Sequence, residues 1–395
     1  MITRTRPSIK KEVYRRILRL GTVSKADLMQ DFSITSSSMT RLLDDMTAQN
    51  MIRISGLGNS TGGRKPILFQ TNPTYRYLFG LEISRIYSTL GLYDMHLNPL
   101  ESKRWKMDAQ MTPAKLVEAV GEEAEKWLAG RELTPGDILG AGVGAVGPLD
   151  RANGIIKRGE FFQAEGWNNV PIRELLEQRL KVPVRIDNGS NTALLGEHWA
   201  MRESEIRHLL YVHAGVGIRA AMMSDGRLIR GAVDPEDAVG QMIVDIGGPR
   251  LEERGNYGAW EAFVSVRALE NRVRAQLKLG RGGLLKDRDP EDLRFSDLAD
   301  ALNAGDTFMR EQFTETAAYL GIGLANLINI LHPECIVLGG PLVEAAPLVY
   351  ETAVDIAIKN LPGTSEYTPV FSKTKLQGNA VAAGGAFMLM NELEF

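Results

Sequence analysis

The sequence predicts an α/β protein in which an N-terminal winged helix-turn-helix module precedes a larger body of two lobes. Two observations lead to this prediction. Residues 1–75 carry 12 Lys and Arg against 5 Asp and Glu, whereas the rest of the chain carries 34 against 44. The pattern of apolar residues also changes near Tyr77, from short helical faces to alternating strands and helices. At roughly 150 residues per domain, a chain of 395 residues holds two to three domains.

The composition excludes several classes of protein. Hydrophobic residues make up 44% and charged residues 24%, which is globular rather than disordered or collagen-like. No run approaches the roughly 18 apolar residues of a membrane span, and the charged first residues lack the apolar segment of a secretory signal. The single cysteine, Cys335, excludes an internal disulfide and a cysteine-based zinc site. We therefore expect a cytoplasmic protein without a membrane partner.

The basic module predicts three short helices. Ile9, Val13, Ile17 and Leu20 share one helical face. A capping box at 24–27 then opens a second, short helix that reaches about residue 32. Apolar residues at i, i+3, i+4 and i+7 predict a third helix of about 36–48, and these residues are Met39, Leu42, Leu43 and Met46.

The third helix is the candidate for reading DNA, because small hydroxyl side chains and one guanidinium suit contacts to phosphates and base edges. Its DNA-binding candidates are Ser36, Ser37, Ser38, Thr40 and Arg41. For 36–38, a plain helix N-terminus is the alternative interpretation. For the module as a whole, the alternative is a solubilising basic surface.

Two extended runs, 51–55 and 66–70, predict a two-stranded wing with a long glycine-rich tip. The tip supplies three further DNA-binding candidates, Gly63, Arg64 and Lys65. Glycine permits close approach to the duplex, and a narrow minor groove attracts the cation of Arg64.

From residue 77 the chain repeats a ββ(β)αβαβα-like pattern, which predicts two similar α/β lobes with a cleft between them. The expected strands are 78–83, 87–93, one within 95–106, 138–146, 182–186, 208–214, 218–224 and 335–338. The expected helices are 112–128, 170–180, 190–200, 260–276, 317–331 and 378–390. Residues 142–147 match G-x-G-x-x-G after a strand, but no helix follows, so we expect a tight turn rather than a dinucleotide site.

Several segments resemble the ROK family (repressors, open reading frames, kinases), and nearly the whole chain resembles its transcription-regulator branch. The matching segments are GGRKP at 62–66, GAGVGAVGPLD at 140–150, WNNVPIRELLEQRLKVPVRIDNGSNTALLGEHW at 167–199, GNYGAWEAF at 255–263, LGIGLANLINILHPECIVLGG at 320–340 and GNAVAAGGA at 378–386. The resemblance implies an actin/hexokinase-like (RNase H-like) fold, a sugar pocket in the cleft, and a homodimer or higher homo-oligomer.

The chain departs from the family's kinases at three places. Gly189 occupies the position of the Asp that acts as base on the sugar hydroxyl. The first phosphate loop corresponds to 82–86 and has lost its glycines. The second corresponds to 215–221, where Arg219 stands in the space meant for ATP. We therefore expect no kinase activity, assign no catalytic residue, and expect no cofactor.

The family's zinc ligands, a His and three Cys, correspond here to Gln241, Glu252, Arg254 and Ala259. This set does not supply the thiolates and imidazole that zinc prefers, so we expect no metal site.

The family's sugar contacts are retained in part. The resemblance implies that Asn188, Gln241 and Glu261 bind an effector, while Gly189 and Ala238 leave room for a larger or differently substituted polyol. A vestigial, empty pocket is the alternative. Trp167 is a further effector-binding candidate through stacking on a sugar face, with core packing as its alternative.

These expectations define a domain plan and a function. The plan is a winged helix-turn-helix over 1–75, a first lobe over 76–190 and a second over 191–395, whose last helix returns to the first lobe. The function is a sequence-specific DNA-binding regulator, a repressor of carbohydrate-utilisation genes that binds a double-stranded operator and a sugar or polyol effector. The alternatives are a residual sugar kinase fused to a DNA-binding arm and a partner-binding scaffold.

Overall fold

The computed structural model describes residues 8–59, 65–231, 238–362 and 367–392. The chain folds into two compact units. The first comprises residues 1–146, 150–187 and 382–395, and the second comprises 147–149 and 188–381. Among the described residues, no helix combines the length and the apolar character needed to cross a bilayer.

The N-terminal part of the first unit contains three helices close to the predicted bounds. They are α1 (Ile9–Leu20), α2 (Lys25–Asp31) and α3 (Ser36–Ala48). Each begins where a side-chain oxygen accepts a hydrogen bond from a backbone amide of the first turn, and the three capping residues are Ser8, Ser24 and Thr35. The predicted capping box is present, because Asp27 also accepts from the backbone amide of Ser24.

The small sheet beside these helices has three strands, not the two that were expected. It comprises β1 (Val23–Ser24), β2 (Ile52–Leu57) and β3 (Ile67–Thr71), in the order β1-β3-β2. Strand β1 has two residues, which is too short for an alternating pattern in the sequence, so it is identified only by its pairing with β3. The module buries the apolar residues Val13, Tyr14, Ile17, Leu28, Met39, Leu43, Met46 and Phe69.

The main sheet of the first unit has the order β10-β7-β4-β5-β6 in the part of the chain that is described. Its strands are β4 (Tyr77–Ile83), β5 (Tyr87–Asp94), β6 (Pro99–Lys106), β7 (Ile138–Ala145) and β10 (Val184–Asn188). Two helices connect them, α4 (Pro113–Gly130) and α5 (Ile172–Leu180), and two short strands, β8 (Leu149–Asp150) and β9 (Ile155–Ile156), pair between β7 and α5.

The second unit has the same strand order, β15-β14-β11-β12-β13. Its strands are β11 (Leu209–Ala214), β12 (Ile218–Ser224), β13 (Arg227–Leu228), β14 (Cys335–Gly339) and β15 (Val370–Lys373). In both sheets an antiparallel pair of consecutive strands is flanked by a parallel strand that arrives after a helical connection. The repeated topology confirms the two similar α/β lobes that the sequence pattern predicts.

The helices of the second unit depart more from the prediction. They are α6 (Gly189–Ala200), α7 (Val266–Lys278), α8 (Phe295–Asn303), α9 (Thr307–Leu331), α10 (Pro341–Ala345) and α11 (Pro347–Lys359), and α12 (Ala380–Glu392) ends the chain. The helix expected from residue 260 begins at Val266, because Ser265 caps it and Trp260–Ala262 forms a separate 3₁₀ turn. Helix α9 begins at Thr307 rather than at 317, since Asp306 accepts from the amides of Phe308 and Met309.

Candidate nucleic-acid interface and ligand site

Helix α3 has the two faces that its sequence predicts. Met39, Leu43 and Met46 are buried. The DNA-binding candidates of this helix are all exposed, and they are Ser36, Ser37, Ser38, Thr40 and Arg41. The helix N-cap at Thr35 explains part of the serine run, because its hydroxyl oxygen contacts the Ser37 and Ser38 hydroxyls at 3.0 and 2.8 Å. The hydroxyls thus lie together on an open surface.

Lys25 belongs to the same surface and was missed at the level of sequence. Its ammonium group donates to the Ser36 hydroxyl at 3.0 Å and to the Thr40 hydroxyl at 2.9 Å. It therefore adds a positive charge beside the first turns of α3. The signal was available in the capping box, which places Lys25 at the first position of α2.

Of the three candidates at the wing tip, Lys65 is described and exposed. Gly63 and Arg64 lie outside the described residues. The minor-groove role predicted for Arg64 therefore stays a prediction.

In the second unit, the carboxylate of Glu261 lies where two glycines leave space for it. A side chain at Gly217, in the turn between β11 and β12, would overlap one carboxylate oxygen, and a Cβ at Gly240 would lie 3.2 Å from the other. Gly240 precedes Gln241, so the structure brings Glu261 next to the segment that carries a second candidate. The 3₁₀ turn holding Glu261 ends before α7 begins, and it is Ser265 that caps α7. Helix capping therefore does not account for Glu261.

The side chain of Gln241 is engaged with a neighbouring loop. Its Oε1 accepts from the backbone amide of Asn256 at 2.8 Å, and its backbone carbonyl accepts from the Asn256 side-chain amide at 2.9 Å. Among the described residues, the side-chain NH₂ group of Gln241 makes no hydrogen bond, so it can donate to a ligand hydroxyl.

The same loop does not fit the zinc ion of the family. Of the four corresponding positions, Glu252 pairs with Arg267, and Gln241 is bonded to Asn256 as above. Arg254 is a cation and Ala259 a buried methyl group. Zinc requires thiolate, imidazole or carboxylate ligands in tetrahedral order, and this set offers one paired carboxylate. Hydrogen bonds and an ion pair hold this loop instead, and no group of three or more His, Cys, Asp or Glu suited to a metal occurs in the described residues.

Asn188 caps helix α6. Its Oδ1 accepts from the backbone amide of Asn191 at 2.7 Å, which fixes the orientation of its side-chain amide. The next residue, Gly189, offers no acid or base. The preceding Asp187 is 1% exposed and lies 3.3 Å from the guanidinium of Arg151. The place of the kinase base is therefore empty, and its neighbouring carboxylate is ion-paired.

Trp167 packs inside the first unit. It is 2% exposed, its indole NH donates to the carbonyl of Met111 at 3.1 Å, and its ring stacks on Phe162 with centroids 4.4 Å apart. This arrangement corrects the effector-binding candidate in favour of its packing alternative, because a stacked, buried ring presents no face to a sugar.

The first phosphate loop is filled by side chains. Arg85 is 9% exposed, donates to the carbonyl of Glu160 at 2.8 Å and lies over the ring of Phe161. Glu82 on β4 is 7% exposed, and its Oε2 has no hydrogen-bond partner among the described residues. Burial raises the pKa of Glu82 to about 8, and Arg104 offsets only part of this. A neutral, buried acid beside an arginine does not cradle phosphates.

The second phosphate loop is also changed. Arg219 on β12 is 9% exposed and faces His213 across the antiparallel pair β11–β12. Burial, with a smaller contribution from the Arg219 charge, lowers the pKa of His213 to about 4. His213 is therefore neutral at physiological pH and adds no charge to this loop.

Comparison with known proteins accounts for both parts of the chain. The model of the ROK family matches residues 78–392. The xylose repressor of Caldicellulosiruptor bescii is 26% identical over 386 residues, which cover 96% of this chain and 95% of the repressor. That alignment includes the basic N-terminal module as well as the body.

Two solved structures show the fold. The ROK family transcriptional regulator described as a homologue of E. coli MLC superposes with a TM-score of 0.77 at 19% identity, covering 97% of this chain and 96% of that one. The ROK hexokinase of Thermus thermophilus superposes with a TM-score of 0.64 at 26% identity, covering 80% of this chain and 97% of the enzyme. The kinase thus corresponds to the body, and the regulator to body and N-terminal module together.

We expect replacement of Glu82 by glutamine to remove a pH dependence of stability. Between about pH 4.5 and pH 8 the unfolded chain releases the Glu82 proton while the folded chain keeps it, so the free energy of unfolding falls as pH rises. The variant Glu82→Gln should therefore melt at a higher temperature than wild type near pH 8, with a gain on the order of a few kcal/mol, and match it near pH 4.5. Melting curves at both pH values measure this, with the exposed Glu122→Gln as the control. An equal shift at both pH values would contradict the assignment.

Proposed function

Because the chain belongs to the ROK family, we propose that it is a sequence-specific DNA-binding repressor of carbohydrate-utilisation genes that acts in the cytoplasm. One observation carries the proposal. The match to a repressor runs through the N-terminal module, and that module presents an exposed row of hydroxyls and one arginine on a helix whose other face is buried. A kinase body alone has no use for such a module.

The N-terminal module is proposed to act as a winged helix-turn-helix. Helix α3 would enter the major groove, with Arg41 at a base edge and the serine hydroxyls at phosphates. Lys25 would neutralise a phosphate beside the first turn. Lys65 and Arg64 would contact the adjoining minor groove. Each module reads one half-site, so a homodimer with two modules would recognise a two-fold symmetric operator.

The effector is proposed to be a sugar or polyol bound in the body by Glu261, Gln241 and Asn188. Glu261 would be the strongest contact, because a carboxylate accepts charge-assisted hydrogen bonds from two adjacent hydroxyls. Gln241 would donate from its NH₂ group, and Asn188 would add a neutral amide contact. Binding would release DNA only if the sugar prefers the conformation that mismatches the operator.

Phosphoryl transfer is not proposed for this chain, although the body superposes on a kinase. The reaction needs a base at the attacking hydroxyl and preorganised groups around the phosphates. Gly189 provides no base, and Arg85 and Arg219 occupy the two loops. A sugar site without these groups binds but does not react.

The first test of the function is DNA binding by the variant Arg41→Ala. Operator sequences would be selected from random duplexes with the full-length protein, and affinities measured at one salt concentration. We expect a loss of roughly 1–3 kcal/mol and a relaxed preference at one base position. Arg310→Ala, an exposed arginine of the body, is the matched control. Equal losses on every sequence would mean that Arg41 contacts only phosphate, and no selected sequence at all would overturn the repressor proposal.

The second test concerns catalysis. In a coupled assay with a panel of pentoses and hexoses, the protein is expected to consume no ATP above the sugar-free rate. The variant Gly189→Asp should stay inactive too, because restoring the carboxylate leaves both phosphate loops filled. Sugar-dependent turnover by the wild-type protein would favour the kinase alternative.

The third test concerns the effector. D-xylose, chosen because it gives a relative its name, and a panel of other sugars would be titrated against the selected operator. We expect Glu261→Gln to raise the sugar concentration needed for release by about tenfold or more, since a charged hydrogen bond contributes about 1.5–3 kcal/mol. Operator affinity without sugar should not change. Glu253→Gln, on the neighbouring loop, is the control. Unaltered release in Glu261→Gln would favour a body that acts as a scaffold.

A further inference from the structure

We propose that Arg15 of α1 is a positioning residue that couples the body to the DNA-binding module through the C-terminal helix α12. The inference rests on the proposed function for its biological meaning, but its contacts are independent of that function. It concerns a series of connected elements that starts at the effector candidate Asn188 and ends at the first helix of the module.

The first element of this series is helix α6. Asn188 caps this helix, and Glu197 lies on it two and a half turns further on. The Glu197 side chain is fully buried, and its carboxylate accepts from the backbone amides of Lys375 and Leu376 at 2.8 and 3.1 Å and from the Thr374 hydroxyl. A buried carboxylate needs such partners. The segment 374–376 must therefore follow α6 when α6 moves.

That segment is followed by α12, and the chain passes from the second unit into the first within this helix. Within the first unit, α12 packs backbone to backbone against the main sheet. A side chain at Gly80 on β4 would overlap the carbonyl of Ala382, and one at Gly142 on β7 would overlap the carbonyl of Gly385. Because no side chains lie between the two backbones here, no side chain can change its conformation to accommodate a shift of the helix.

The other end of α12 is held by the N-terminal module. The Arg15 guanidinium donates to the carbonyls of Met390 and Asn391, in the last turn of the helix. Carbonyls at a helix C-terminus lack intrahelical partners and carry partial negative charge, so a guanidinium there is doubly favoured. Lys11 and Tyr14, on the same helix α1, are also buried. A displacement of α12 therefore acts on α1 directly.

The primary test needs neither a DNA sequence nor a sugar. Amide hydrogen exchange would be compared between wild type, Thr374→Val and Glu197→Gln, each with and without Arg15→Ala. Both body variants loosen the 374–376 segment, and Thr374→Val is the milder one if Glu197→Gln fails to fold. We expect faster exchange not only at the start of α12 but also in its last turn and in α1. In the Arg15→Ala background the response of α1 to either change should disappear.

A purely structural Arg15 predicts a different pattern. Arg15→Ala would lower the melting temperature, the Thr374→Val effect would stay within about 374–381, and α1 would not respond to it in either background. That outcome would overturn the proposal. Arg19→Ala is the matched control, because it removes one exposed charge from the same helix that makes no hydrogen bond or ion pair to α12 among the described residues.

The second readout is coupling in the presence of DNA and D-xylose. Allosteric ligands change affinity by a factor of about 5–150, and in Arg15→Ala we expect the sugar-dependent change in operator affinity to fall towards a factor of about 1 while sugar binding persists. Full sugar-dependent release in this variant would contradict the coupling role. If wild type binds no selected DNA, the proposed function fails instead, and the exchange experiment still decides the role of Arg15.

Discussion

The close contact between α12 and the main sheet of the first unit is the constraint on which much of the chain depends. The carbonyls of Ala382 and Gly385 occupy the space that side chains at Gly80 and Gly142 would need. The two carbonyls can approach the strands this closely only because Gly80 and Gly142 lack Cβ atoms. The glycines of two distant β-strands and the Gly/Ala-rich last helix are therefore parts of one packing requirement, which ties the end of the chain to its first lobe.

The positions that correspond to the family's phosphate and zinc sites follow a common physical pattern. They are occupied by side chains that satisfy one another. Arg85 bonds to the 160–161 loop, Glu252 pairs with Arg267, and Gln241 holds Asn256. Each arrangement replaces a ligand or ion by internal hydrogen bonds, which keeps the local backbone ordered when nothing is bound. Glu82 is the exception, because its buried Oε2 has no hydrogen-bond partner among the described residues and burial raises its pKa to about 8.

A regulator needs less from its ligand site than a kinase does. It must bind a sugar with different affinities in two conformations, but it need not stabilise a transition state. In the proposed site, Gly217 and Gly240 leave room for the carboxylate of Glu261. Asn188 caps helix α6, and Glu197 on the same helix accepts hydrogen bonds from the segment before α12, so one helix connects the proposed effector contact to that segment.

The sequence by itself determined the helices of the N-terminal module, the two repeated α/β halves and the family. These features depend on the local spacing of apolar residues and on helix caps. Met39, Leu43 and Met46 recur at helical spacing in α3, and Ser24 with Asp27 forms the capping box of α2. The tertiary structure alone decided which polar side chains are available. Trp167 is stacked and buried, the oxygens of Asn188 and Gln241 are bonded, and Lys25 lies beside Ser36. Whether a polar atom is satisfied depends on partners that are distant in sequence or set by local backbone geometry, and no residue pattern along the chain encodes that directly.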